Sequence, residues 1–409
     1  MVVQEVAIKD IVFRKDLYPR REVDNKLIEK YQPIIEILPP IKISQNSILI
    51  DGRHRWFAHE RAGKTTIKAE IIETESDAQI EILAYEMNSL HGKQLSNDEK
   101  RLFAVKRCDT LSIAEIARIL SVSQRTVRDW THSKRRELEE YRNELIFADY
   151  LRAWNTQEDI SEKYRLPRQT VSDIIRKKAE NGKIAESGEI SNFKPFLYSI
   201  WNLAKGDETE HFGAFPKVYL ENLLYYHTQP MSIVYDPFSG NGTTVDVCKA
   251  MCRRYYCSDR IVKPGREDDI RSWDIKNGLQ PDLQLPDLAF IDPPYWKQAE
   301  GMYSSEKDCL GNMSLENFYL TLDRLLKELT NRKVKRIAIV IQPTQFKNDM
   351  IFEDHIFHFA QVLLGKYTIE MRYILPYSTE QYNAQMVEKG KENKICLGLH
   401  RDLVVFKHV

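Results

Sequence analysis

The run Leu288-Ala289-Phe290-Ile291 stops at Asp292-Pro293-Pro294-Tyr295, and this junction constrains the fold more than any other feature of the chain. Four apolar residues bounded by turn formers read as a fully buried strand. Such a strand belongs to a parallel sheet covered on both faces, and in open sheets of that kind ligands bind beyond the carboxyl ends of the strands. The two prolines stiffen the exit and withhold backbone donors. The Asp292 carboxylate and the Pro293 carbonyl are then two acceptors aimed at one small volume, with Tyr295 beside them. Two acceptors so placed can grip the hydrogens of an exocyclic amine on adenine or cytosine and push its nitrogen toward sp³. The tyrosine ring can stack on the base. Alone, the tetrapeptide also suits an ordinary Asp-Pro turn, so its context decides.

That context lies upstream. Ser232-Ile233-Val234-Tyr235 is a short apolar strand running into Asp236-Pro237-Phe238-Ser239-Gly240-Asn241-Gly242-Thr243-Thr244, with a helix expected from about Val245. Glycines at 240 and 242 allow positive φ and close approach of a ligand to the backbone. The turn lacks a phosphate-loop lysine and a full G-x-G-x-x-G, which favours a neutral or zwitterionic nucleoside over a phosphate. A second strand, Arg254 to Asp259, ends in an acid where a βαβ unit places its ribose-hydroxyl acceptor. Ser272-Trp273-Asp274 supplies a third carboxylate before the strand that leads to Asp292.

Together these residues resemble the amino-methyltransferases of DNA, with their D-P-F-x-G-x-G-T-T turn and D-P-P-Y-W segment. The resemblance covers roughly residues 190 to 409. It implies a Rossmann-like domain binding S-adenosylmethionine through Asp236, Pro237, Phe238, Gly240, Gly242 and Thr243, with Asp259 on the ribose and Asp274 on the cofactor's adenine amine. His211-Phe212-Gly213-Ala214-Phe215-Pro216, ahead of a helix Lys217 to His227, looks like the family's remaining cofactor segment, which adds Phe215 and Pro216. Its spelling departs from H-P-x-x-x-P. Asp292, Pro293, Pro294 and Tyr295 carry over as the catalytic set, acting on a base flipped from the duplex. Adenine N6 is favoured over cytosine N4, because the family's cytosine enzymes more often have Ser where Asp292 stands.

The sheet is expected to be completed by a helix Leu315 to Glu328, a buried strand Val334 to Ile341, and an antiparallel edge pair, Ile369 to Leu375 and Arg401 to Lys407. Pro376 to Leu399 reads equally as a substrate loop or a solvated excursion. Lys297 to Gly311, with Tyr303, Ser304, Ser305 and Lys307, has the composition of a mobile lid.

The first half is of another kind. Strand Ile48-Leu49-Ile50, the turn Asp51-Gly52 and the basic start Arg53-His54-Arg55 make a helix amino terminus suited to an anion. This stretch resembles the ParB-like fold shared by sulfiredoxin, over about residues 1 to 105. Position 53 is Arg where sulfiredoxin has its cysteine, which excludes that redox chemistry. The resemblance implies a CTP-like nucleotide at Gly52, Arg53, His54, Arg55, Glu86 and Asn88, the last two in a second ParB-like segment, Glu86 to Ser96.

Two helix-turn-helix units follow. In the first, Ala117 lies in the leading helix, Ser121 turns, and Ser123 caps a second helix presenting Gln124, Arg125, Thr126 and Arg128 to base edges and phosphates. The second unit repeats the plan over Thr156 to Lys178, with a turn at Leu166-Pro167 and Arg168, Gln169 and Thr170 opening its second helix. Lys134-Arg135-Arg136 and Arg176-Lys177-Lys178 read as basic helix ends.

The expected architecture is therefore multidomain α/β: a ParB-like α+β domain at 1–105, a tandem helix-turn-helix region at 106–183, a linker at 184–192 and a Rossmann-like methyltransferase domain at 193–409. A chain of 409 residues is too long for one core. Lys plus Arg equals Asp plus Glu at 60 each, so duplex DNA, the expected partner, must be met by local basic faces. Six scattered cysteines with no C-x-x-C pair argue against a metal site and for a reduced cytoplasmic setting, at the prokaryotic nucleoid or encoded by a phage or mobile element. No apolar run approaches a membrane span and no signal peptide is expected. No D-x-E-x-K core is recognisable, so a solitary methyltransferase fits better than a fused restriction enzyme. The oligomeric state, a homodimer included, and a nuclease partner stay open. Two alternatives remain: RNA methylation, and a ParB-like regulator with a vestigial methyltransferase domain, against which the intact acids speak.

Overall fold

The computed structural model describes residues 3–20, 22–90, 95–186, 193–203, 215–297, 306–347, 350–376 and 382–409. Segments of interest outside them are His211 to Ala214, residues 298–305 with Tyr303, Ser304 and Ser305, residues 91–94 and 377–381, and 187–192 of the expected linker. The chain forms two compact units, Met1–Arg142 and Asn143–Val409.

The first unit opens with β1 (Val3–Ala7), α1 (Asn25–Tyr31), β2 (Ile41–Ser44), β3 (Leu49–Asp51), α2 (Arg53–Arg61) and β4 (Thr66–Ile72). The sheet order is β1-β4-β2-β3, mixed in direction, with β2 parallel to β4 and the other pairs antiparallel. Ile8, Ile41, Ile43, Leu49, Ile67 and Ala69 form its core. Then come α3 (Asp77–Leu90), α4 (Asn97–Arg107), α5 (Ile113–Leu120) and α6 (Gln124–Leu151), the last crossing into the second unit. Ser96 with Glu99 and Ser112 with Glu115 make reciprocal capping boxes on α4 and α5. Each cap contributes about 1 kcal/mol by satisfying amide donors that the first turn leaves open. Ser121 takes the left-handed conformation at φ 51° and breaks the chain between α5 and α6.

The second unit begins with a helical hairpin, α7 (Gln157–Tyr164) and α8 (Arg168–Glu186), whose joint has Arg165 left-handed at φ 52°. After α9 (Lys217–His227) comes a Rossmann-like run: β5 (Ile233–Asp236), α10 (Thr243–Ala250), β6 (Arg254–Asp259), β7 (Ile270–Ser272), β8 (Leu288–Ile291), α11 (Leu315–Asn331) and β9 (Arg336–Ile341). A small hairpin, β10 (Thr344–Lys347) and β11 (Met350–Glu353), leads to α12 (His355–Leu363), β12 (Tyr367–Pro376), α13 (Ala384–Glu392) and β13 (His400–His408). The seven-stranded order is β12-β13-β9-β8-β5-β6-β7. Strands β5 to β9 are parallel, and β13 runs antiparallel to both its neighbours. From β5 the chain winds outward through β6 and β7, then returns to β8 and β9 on the other side. The crevice between β5 and β8 is therefore the switch point at which such sheets bind ligands.

Alternation along β9 explains the two layers. Ile337, Ile339 and Ile341 pack with Phe318, Leu322, Leu325 and Leu326, while Ala338 and Val340 pack with Leu220, Leu224 and Val247 on the opposite face. Each fully buried Leu or Ile contributes about 1.5–3 kcal/mol.

Several expectations need correction. Lys134-Arg135-Arg136 is not a helix end, because α6 continues to Leu151. Nothing between Glu137 and Leu151 breaks a helix, and Ile146, Phe147 and Leu151 bury its far end. Arg176-Lys177-Lys178 likewise lies within α8. The pair β12 and β13 is antiparallel as expected, with Ile369 opposite Phe406, but β13 lies between β12 and β9, so β12 alone is at the edge. The stretch from Pro376 to Leu399 contains a capped helix, α13, with Asn383 accepting from the Met386 amide.

Candidate active site

Four carboxylates arrive at the carboxyl edge of the second sheet on neighbouring strands: Asp292 after β8, Asp236 ending β5, Asp259 ending β6 and Asp274 after β7. Strand length and register alone deliver them there.

Asp236 holds the glycine turn together. It is 2% exposed, accepts from the Phe238 amide at 2.9 Å and from the Thr244 hydroxyl, and its own carbonyl accepts from Ser239. Burial pushes its carboxyl up to about 7 against those two bonds, and the charges of Asp292 and Asp259 push the same way. The turn then enters α10 through Gly242 at φ 89°. Gly240, at φ 49°, has open space where a side chain would stand, the nearest atom being the Phe238 carbonyl at 3.9 Å. Asp259 accepts from the Gly240 amide at 2.8 Å and from the Ile261 amide at 3.1 Å, and burial raises its pKa. Asp274 caps the turn Ile275–Asn277 by accepting from the Lys276 amide at 2.9 Å, and its other oxygen lies 3.4 Å from the Lys276 ammonium.

Asp292 accepts from the Tyr295 hydroxyl at 3.1 Å. Burial pushes its carboxyl up to about 6, while Arg401 and the Tyr295 bond pull it down. Pro293 lines a small apolar hollow together with Ile291, Leu322, Leu326, Ile339 and Phe359. Pro294 lies under Gly311, where an added side chain would stand 3.9 Å from its Cβ. The following residues are pinned as well: the Trp296 indole donates to the Met313 carbonyl at 2.9 Å, and the Lys297 ammonium to that of Asn312 at 2.9 Å.

Of the residues expected ahead of the glycine turn, Phe215 is buried against Phe290, with ring centroids 5.2 Å apart, and Pro216 is the N-cap of α9. Sequence reasoning missed Arg401. It opens β13, whose antiparallel course brings its first residues to the edge where β9 ends, Asp402 pairing with Ile341. Its guanidinium lies 5.4 Å from the Phe215 ring centroid and acts on Asp292 and Tyr219. The only signal in the sequence was an arginine at the start of an expected strand.

In the first unit, Gly52 stands at φ 100° before α2. The Arg53 amide receives no helical partner but donates to the Tyr18 hydroxyl at 3.3 Å, and its guanidinium donates to the Arg20 carbonyl at 3.0 Å and lies 4.2 Å from the Phe13 ring centroid. Burial lowers the Arg53 pKa. Arg20 donates to Asn88 at 3.2 Å, and His54 accepts from the Asp24 amide at 3.1 Å. Arg55 is occupied otherwise, by Asp51 at 2.7 Å and by the carbonyls of Pro39 and Pro40. Glu86 is paired with Arg118 rather than with the residues around Arg53.

Both helix-turn-helix hairpins form. Ser123 accepts from the Thr126 amide at 3.0 Å, leaving Gln124, Arg125 and Arg128 exposed and Thr126 half-buried. Arg168 and Gln169 are exposed at the start of α8, and Thr170 is half-buried. Arg168 lies 3.3 Å from Glu158.

Residues 120–261 match the family model described as DNA methylase. By sequence, this segment is DNA-methylase-like. It contains the glycine turn and Asp259 and stops before Asp292. A second family model, described as ECF sigma factor, matches residues 42–143, from within β2 into α6. No characterised protein matches the chain significantly in the search of curated proteins. Among solved structures, the chromosome-partitioning protein ParB from Caulobacter crescentus, complexed with CTP-gamma-S, aligns with 32% of this chain and 77% of its own at 20% identity and a TM-score of 0.21. A SAM dependent methyltransferase from Archaeoglobus fulgidus aligns with 47% and 92% at 14% identity and a TM-score of 0.30. The 1,6-didemethyltoxoflavin-N1-methyltransferase of Burkholderia thailandensis, with bound S-adenosylhomocysteine, aligns with 47% and 78% at 15% identity and a TM-score of 0.31. Among the described residues, no helix is long and apolar enough to cross a membrane.

Proposed function

We propose that the second unit transfers a methyl group from S-adenosylmethionine to the exocyclic amine of a base in DNA, adenine N6 ahead of cytosine N4. The observation that carries this reading is the row of acids at the switch point, with Asp292 and its proline turn directly beside the strand that holds the glycine turn.

The residues fit that cofactor. Gly240 leaves room for a ligand to lie on the turn, and Asp259 and Asp274 offer acceptors to hydroxyl and amine donors. Nearby Arg266 and Lys276 are already paired with Asp246 and Asp308. Phe215, against Phe290 and beside the Arg401 that acts on Asp292, and Pro216 after it are proposed to complete the cofactor site. When bound, S-adenosylmethionine supplies a methyl group on a positively charged sulfur. Asp292 in its ionised form and the Pro293 carbonyl hold the amine hydrogens, Tyr295 lies against the base, and the turn fixed by Asp236 sets the line of attack. Most of the rate then comes from orientation. As nitrogen gains the methyl group, Asp292 is placed to take its proton.

The first unit is proposed to bring the enzyme to duplex DNA through Gln124, Arg125, Thr126 and Arg128, with Arg168, Gln169 and Thr170 adding contacts from the second unit. A CTP-like nucleotide is proposed at Gly52, Arg53 and His54 with Asn88 nearby, since Arg53 is partly buried and, among the described residues, its guanidinium meets the Arg20 carbonyl and the Phe13 and Phe57 rings and no carboxylate. Arg55 and Glu86 would have to leave Asp51 and Arg118 to take part. Methyl transfer from labelled S-adenosylmethionine to duplex DNA, with the product nucleoside identified by mass, tests the central reading. N4-methylcytosine would correct the base, and methylation of RNA alone would correct the substrate.

A further inference from the structure

The α7–α8 hairpin is built into the catalytic unit. The end of α6 serves two cores at once: Phe147 and Leu151 pack with Val234 and Tyr255 of the sheet, while Ile146 packs with Ile160, Val171 and Ile175 of the hairpin, against which Met231 also lies. Beyond the helix, Arg152 forms a parallel bridge with Tyr255, and the Ala153 amide donates to the Tyr255 carbonyl at 2.8 Å. Arg254 is 8% exposed, and its guanidinium donates to the carbonyls of Tyr150 at 3.0 Å, Ala153 at 3.4 Å and Asn155 at 3.2 Å. Arg152 reaches Asp269 at 3.0 Å. A buried guanidinium is costly unless its donors are used, and here they staple the hairpin's root to the sheet.

The root is at the edge opposite the acids. Arg254 and Tyr255 open β6, and Met231 precedes β5, whereas Asp236, Asp259 and Asp292 lie where β5, β6 and β8 close. Five residue steps along β6, from Arg254 to Asp259, separate the two edges by about 17 Å. The hairpin presents a face suited to a duplex: Arg168 and Gln169 are exposed at the start of α8, with Arg165 at the joint and Arg176 and Lys177 farther along. Glu158 and Asp173 share that face and pair with Arg168 and Arg176.

We infer that the α7–α8 hairpin grips duplex DNA away from the base being modified, so that the base pairs it reads lie about five or more from the target base. The distance follows from about 17 Å of sheet and a rise of about 3.4 Å per base pair. This rests on the proposed methylation of DNA, and the first helix-turn-helix belongs to the other unit.

The test is to methylate unmodified genomic DNA with the full-length protein and with an Arg168→Ala, Gln169→Ala double variant, and to map every methylated base. Both substitutions are exposed, and matching melting curves check that the fold is kept. Wild-type sites are expected to share bases around the target and a second preferred block about five or more pairs to one side, and the variant to lose only that block. Loss of bases adjoining the target, or identical sites from both proteins, overturns the inference while leaving the methyltransferase reading intact. No methylation by the wild type overturns both.

Discussion

The Tyr295 hydroxyl donates to the Asp292 carboxylate across 3.1 Å. The aromatic residue expected to pack on the base thus also favours the ionised form of the carboxylate that holds the amine. Tyr295→Phe keeps the ring and removes that bond. The acid limb of the pH profile of kcat/KM, expected near pH 6 from Asp292, should move to higher pH with a loss smaller than tenfold at pH 8. Tyr295→Ala also removes stacking and should cost about 1–3 kcal/mol, or roughly five- to 150-fold.

Arg401 acts on the same carboxylate from β13. Arg401→Gln should move the acid limb upward as well, because a positive charge that favoured ionised Asp292 is gone, and Arg401→Lys should restore it. Activity lowered at every pH with an unmoved limb would mean that Arg401 only supports Phe215.

Asp236 makes the opposite demand on stability. Its folded pKa, about 7, is above the unfolded value near 3.8, so folding favours the protonated form. Its contribution to stability is full below pH 4 and falls as pH rises toward 7, by about 4 kcal/mol over three pH units. Asp236→Asn carries no charge to bury. Its melting temperature relative to wild type should therefore rise between pH 5 and pH 8, which thermal unfolding at the two values measures.

The arginines after Gly52 separate by partner. Arg55→Ala loses the pair with Asp51 and both proline carbonyls, and should destabilise the protein by about 1–3 kcal/mol in denaturant unfolding. Arg53→Ala should instead abolish binding of fluorescent CTP. Equal loss of CTP binding in both variants, without a stability difference, would contradict this division.

Gly240→Ala should weaken S-adenosylmethionine binding at least tenfold and lower the melting temperature by a few degrees. Its φ of 49° is left-handed and costs an alanine about 1–2 kcal/mol, while the new methyl group would enter the open space above the turn. Isothermal titration and thermal unfolding read the two effects separately.

What the sequence made legible was local. The strand before Asp292, the glycine turn, the cap Ser123 and the chain breaks between paired helices depend on a few neighbouring residues, and each is where its residue types put it. The unread parts depend on distant segments. Arg401 meets Asp292 only because β13 inserts beside β9, and Arg254 holds Tyr150 and Asn155 only because α6 runs on past Arg136. Basic residues at 134–136 looked like a helix end because charge is read one turn at a time, whereas the apolar residues that extend α6 bury against a sheet a hundred positions later.

The most direct measurement is transfer of a labelled methyl group from S-adenosylmethionine to duplex DNA by the full-length protein and by Asp292→Ala, with cofactor binding measured on both. The account predicts N6-methyladenine from the wild type and none from the variant, which still binds the cofactor. Methylation that survives in Asp292→Ala, or a wild type that binds the cofactor and methylates neither duplex nor single-stranded DNA, would contradict it.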